Sequence, residues 1–255
     1  MKNNGLLCGC LAMLMVGMGF SVKAVTPDQA RLDIAGGKVK GVYILDSNGQ
    51  DVGYREKLTE EGLSVFDEPA QITRDKMGRL STLLIEENEV DEDGEPSTQS
   101  YEETYRYAGE SLRPYMQVTS GESIYMGFGE GYSKYCHYIY SDSTANPVGY
   151  MIVETNYIGQ PIMVYYCVYH YTEFDKFGNW TKRDVTTYHC DISFEEDEED
   201  DVKIRPDLLE LSVILCDEES DAAKYEKATS GLIKILTENL EPEHAIQSRV
   251  VAYYE

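Results

Sequence analysis

Apolar and polar positions alternate with a period of two through most of this chain, most clearly over residues 164–190 (VYYCVYHYTEFDKFGNWTKRDVTTYHC). Tyr, Val and Thr dominate both flanks, which suits a pleated, half-buried surface. The segment predicts two long strands joined at Asp175-Lys176-Phe177-Gly178-Asn179. Gly178 supplies the left-handed residue that a three-residue hairpin with a bulge demands. Setting Asp175 opposite Asn179 fixes the register: Cys167 faces Thr187, His170 faces Asp184 and His189 faces Tyr165.

Weaker copies of this hairpin fill the rest. Residues 40–54 (KGVYILDSNGQDVGY) predict strand, turn and strand around Asp46-Ser47-Asn48-Gly49. Residues 72–86 repeat the pattern, with Asp75-Lys76-Met77-Gly78 at the bend. In residues 101–108, Tyr101, Glu103, Tyr105 and Tyr107 alternate with Glu102, Thr104 and Arg106, and the chain returns through 113–118. Residues 133–140 and 149–158 make a further pair. Residues 86–100 are acidic, contain Gly94 and Pro96, and read as a loop. Residues 194–201 (FEEDEEDD) read as a solvated acidic run.

The period changes after Pro206. Residues 207–215 fit strand or helix, residues 221–228 favour helix, and Leu232, Ile233, Ile235, Leu236 and Leu240 mark one helical face, with Gly231 as the expected break. The expected fold is mainly β: a curved antiparallel sheet of repeated hairpins over residues 40–205, a helical or irregular insertion over 206–244 and a final strand over 245–255. A polar leader, residues 25–39, precedes the sheet.

The first 24 residues are expected to be a signal peptide. Lys2 gives a positive start, residues 6–20 are apolar, and Ser21-Val22-Lys23-Ala24 offers a small-residue cleavage site. Fifteen apolar residues are too few for a stable membrane span. Cys8 and Cys10 stand at the start of this apolar run and read as ordinary members of it, where a lipid-attachment cysteine would follow it. The mature chain is therefore expected to lack a transmembrane segment and to sit in the periplasm, at the cell surface or outside. The chain carries 22 Lys and Arg against 46 Asp and Glu, a formal net charge of −24. Such a charge repels phosphate backbones and anionic lipid, which argues against nucleic acid.

Candidate chemistry is sparse. Four cysteines, Cys136, Cys167, Cys190 and Cys216, remain after the signal. The hairpin register puts Cys167 and Cys190 on opposite faces, about 10 Å apart along the strand, where a disulfide needs Cα atoms within roughly 7 Å. His137, His170, His189 and His244 form no metal or nucleophile motif, and no cofactor is expected. Residues 91–95 lack the alternating ligands of a calcium loop. Asn179-Trp180-Thr181 fits a glycosylation sequon but sits at the end of a tight turn.

The units resemble the YD (RHS-type) repeats of exported bacterial proteins, most closely in residues 171–183 (YTEFDKFGNWTKR) and 72–80 (ITRDKMGRL). That resemblance implies hairpins side by side in a curved sheet and no enzyme chemistry. The expected role is a non-enzymatic binding or structural one, toward a protein or glycan at the cell envelope. Trp180, Tyr169, Tyr171, Tyr105 and Tyr107 are the candidate contacts, since ring faces cover apolar C–H groups while hydroxyls bond at the rim. Trp180 fits equally as a core anchor that locks turn to sheet. The alternative is a glycan hydrolase pairing Glu103 or Glu154 with Asp184.

Overall fold

The computed structural model describes residues 25–45, 51–66, 70–90, 96–125, 128–141, 146–195, 202–217 and 222–255. The expected signal peptide, the 46–49 turn and the two acidic runs at 91–95 and 196–201 lie outside them. The leader forms one short helix, α1 (Pro27–Arg31), with Thr26 and Gln29 as a capping box. Strands β1 (Val39–Leu45), β2 (Asp51–Leu58) and β3 (Ser64–Val65) follow. The chain continues through β4 (Ala70–Arg74), β5 (Leu80–Val90), β6 (Pro96–Tyr107), β7 (Pro114–Tyr125) and β8 (Phe128–Tyr140). Next come β9 (Pro147–Thr155), β10 (Pro161–Phe174) and β11 (Trp180–Asp191). A separate two-stranded ladder, β12 (Ser193–Glu195) with β13 (Val202–Ile204), leads to helices α2 (Pro206–Cys216) and α3 (Ala222–Asn239), and then to β14 (Glu243–Tyr253).

Twelve strands make one antiparallel sheet in the order β3-β2-β1-β14-β11-β10-β9-β8-β7-β6-β5-β4. The last strand, β14, slots between β1 and β11, so it stitches the first hairpin to the central one. The sheet curves until its two edge strands reach a single side chain. Asp28 of α1 accepts the Ser64 amide of β3 at 2.7 Å and both Arg74 guanidinium nitrogens of β4 at 2.8 and 2.7 Å. No ladder joins β3 to β4 among the described residues, so the sheet stays open and Asp28 bridges the gap.

Four of the connections between neighbouring strands share one bend. In residues 59–63, 75–79, 156–160 and 175–179, the first amide donates to the fifth carbonyl at 2.8–3.0 Å and the glycine amide donates to the first carbonyl. Gly62, Gly78, Gly159 and Gly178 sit at φ +81°, +76°, +78° and +81°. The first side chain (Thr59, Asp75, Asn156 or Asp175) accepts the fifth amide, which is how short oxygen-bearing residues nucleate turns. Gly178→Val is expected to cost about 1–3 kcal/mol, because a β-branched residue is forced to positive φ. An unchanged midpoint in urea denaturation would contradict this assignment.

The central register runs as the turn predicts: Tyr165 pairs with His189, Cys167 with Thr187 and His170 with Asp184. Cys167 and Cys190 thus point to opposite faces, and both are free thiols. Two expectations fail. Residues 86–90 and 96–100, read as loop, are strand, with Glu86 opposite Ser100 and Val90 opposite Pro96. Gly231 does not break a helix, since α3 runs through it. A Cβ there would lie 2.9 Å from Leu211 Cδ1, so the glycine lets α3 approach α2.

One face of the sheet packs the helices. Met151, Val153, Val164 and Ile192 meet Leu208, Leu215, Leu232 and Leu236, all fully buried. His137 is trapped there, its Nε2 2.8 Å from the Leu215 carbonyl. Burial lowers its pKa to about 4, against an ordinary value near 6.5. The unfolded chain therefore takes a proton near pH 6.5 that the folded chain refuses until about 4. This stability is whole above pH 6.5 and is lost as pH falls toward 4. Between pH 7 and 5 the protein should lose about 2 kcal/mol more than His137→Gln. Urea titrations at both pH values check this; equal losses would contradict it.

Candidate functional site

The opposite face carries alternate residues of the same strands and is lined by the leader. Asn179, the last residue of the central bend, holds the leader in place. Its Oδ1 accepts the Ala35 amide at 2.6 Å, and its Nδ2 donates to the Gly36 carbonyl at 2.9 Å and the Tyr253 hydroxyl at 2.6 Å. With both amide ends used and no exposure, Asn179 is closed to glycosylation.

Arg249 of β14 provides the second tie. It donates from Nε to the Trp180 carbonyl at 2.7 Å, from Nη1 to Leu32 at 2.8 Å and from Nη2 to Asp33 at 2.9 Å. Its guanidinium lies 4.0 Å from the Trp180 ring, and that of Arg183 lies 4.2 Å from it. The indole is thus held between two cations, at 3 % exposure. As an exposed contact, Trp180 is corrected: the leader carbonyls recruit Arg249, and together they cover the ring.

Beside this stack lies a cleft of about 260 Å³, with Tyr138, Tyr150, Tyr169, Arg183, Gln247 and Asp33 in its walls. Each comes from a different strand or the leader, brought to one face by the pleat. Tyr150 and Tyr169 meet edge to face at 5.4 Å, and Tyr138 donates its hydroxyl to Gln117 at 2.7 Å. Burial raises the pKa of Tyr169 well above the ordinary phenol value and lifts Tyr150 too, so both remain neutral hydroxyls. Gln247, itself exposed, marks the solvent side.

Of the five candidate contacts, Tyr169 and Trp180 line the cleft. Tyr171 backs it, donating to the Pro147 carbonyl at 2.7 Å. Tyr105 and Tyr107 form a different cluster. Tyr105 is buried under Arg31 of α1 and donates to Glu103, while Tyr107 donates to the Leu80 carbonyl beneath Arg79. Both are packing residues of the leader seat, not a shared contact surface with Trp180.

The carboxylates named for hydrolysis do not converge. Glu154 pairs with Lys134 at 2.7 Å on the leader face, Glu103 holds the Tyr105 hydroxyl, and Asp184 is exposed on the other face. Among the described residues no three His, Cys, Asp or Glu side chains are placed to hold a metal ion. None of their helices is long and apolar enough to cross a membrane.

Sequence reasoning missed Arg183 and Arg249. The signal for Arg183 was present: the hairpin register sets it opposite Tyr171, on the face of Tyr169. Arg249 carried none, because its partners are backbone carbonyls 216 and 217 residues away. No family model matches the chain, and comparisons with curated proteins and with solved structures give no match.

Proposed function

We propose that this is an exported, non-enzymatic binding protein that takes a ligand into the cleft on the leader face. The observation that carries the reading is the cleft itself. It is concave, walled by three tyrosines, and fitted with a few convergent polar groups, the usual make-up of a small-molecule site. The apolar run at residues 6–20 supports export, and the scattered carboxylates favour binding over hydrolysis.

Trp180 is the single tryptophan of the chain, so its emission reports on the cleft without any label. Titration with envelope glycans and their component sugars should give a saturable change in that emission, with the ligand recovered intact. Hydrolysis of any of them by the pure protein, abolished by one Asp or Glu substitution, would overturn the non-enzymatic reading.

A further inference from the structure

Buried guanidinium groups are expensive unless an anion faces them, and Arg183 is 7 % exposed. Among the described residues the groups that hold it are all neutral. Its Nε and Nη2 donate to Gln247 Oε1 at 2.9 and 2.7 Å, Nη1 reaches the Tyr171 hydroxyl at 3.5 Å, and the rings of Tyr169 and Trp180 lie 3.4 and 4.2 Å away. A guanidinium has five N–H donors. Gln247 uses two of them and Tyr171 a third at long range, so one N–H on each Nη is left without an acceptor among the described residues.

The cleft also stands apart electrostatically. Its charged lining is Arg183, Arg249 and Asp33, a net charge of +1, in a chain of net charge −24. Concave, low-dielectric walls focus such a local field, and the acidic surface elsewhere turns anions away. We propose that the cleft binds a small organic carboxylate, its anionic end on Arg183 and its body against Tyr150 and Tyr169. The inference rests on the cleft being the binding site and adds the charge and size of the ligand. At about 260 Å³ the cleft falls just under the roughly 300–1,000 Å³ of drug-sized ligand sites, so it holds one small ring or short chain. A planar fork matches a carboxylate bidentately, whereas a neutral hydroxyl draws on it weakly. Asp33 opposes the anion and sets the limit: one carboxylate is accommodated, and a dianion is disfavoured.

Trp180 emission is titrated with glucuronate, hexanoate, glucose and inorganic phosphate, using the wild-type protein, Gln247→Glu and Arg183→Gln. Gln247→Glu supplies the missing carboxylate from within, so it should fold at least as stably as wild type while losing about tenfold or more in glucuronate affinity, the range of a charge-assisted hydrogen bond. Arg183→Gln should lose the same affinity, and its thermal midpoint shows whether it is folded. Binding of glucuronate or hexanoate at least about tenfold tighter than glucose, lost in Gln247→Glu, supports the inference. Equal binding of glucose and glucuronate would overturn it and leave the cleft as a neutral-sugar site. Binding of phosphate alone, of none of the four, or of glucuronate unchanged in Gln247→Glu would overturn it as well.

Discussion

Trp180→Ala is expected to destabilise the protein by about 3–5 kcal/mol, as large aromatic-to-alanine truncations in packed cores do. The indole is held between Arg183 and Arg249, with the Tyr171 ring 5.9 Å away. Truncation removes two cation–π contacts and opens a cavity between two like charges, so both effects act in one direction. Circular dichroism in urea measures it, since the fluorescent probe goes with the mutation. Trp180→Phe keeps a ring between the guanidinium groups and should recover part of the loss. Unchanged stability of Trp180→Ala would return Trp180 to the role of surface contact.

Arg249→Met should cost about 3 kcal/mol or more. Methionine retains the apolar stem but leaves the carbonyls of Leu32, Asp33 and Trp180 without their shared donor. Each buried acceptor left unmade costs about 1–3 kcal/mol, discounted where water can enter. Arg249→Lys should rescue little, because one ammonium cannot span three carbonyls that a planar fork reaches together. A Lys variant as stable as wild type would show that charge, not the fork, holds the leader.

Much of the sheet was legible because tight turns dictate register. Asp175 and Gly178 determine the bend, the bend sets which residues face each other, and alternation then assigns faces over the whole hairpin. The bends at 59–63 and 156–160 escaped notice because Thr59 and Asn156 stand where the recognised copies have aspartate; the oxygen three residues before glycine was the common signal. The strand residues 119–125 and 128–132 were missed for another reason. Their glycines and serines break the apolar pattern, yet Gly121 pairs with Tyr132, whose ring lies over the missing side chain, only 2.4 Å from where a Cβ would stand.

The leader was the largest gap. The sequence marks it only as a polar leader to the sheet, but Asp28, Gln29 and Asp33 are buried along with Leu32 and Ile34. Polar groups enter an interior when partners await them: Arg74 and Ser64 hold the Asp28 carboxylate, and Arg249 and Asn179 hold leader backbone groups, all from positions far along the chain. Local periodicity contains no trace of such long-range pairing. The cleft inherits that gap, since one of its walls is the leader.

Acrylamide quenching of the single tryptophan tests most directly whether the leader seals this face. With Trp180 at 3 % exposure between two guanidinium groups, the native protein should emit to the blue and resist quenching, and both properties should vanish in concentrated urea. Native emission already as red and as readily quenched as that of the unfolded chain would contradict the account.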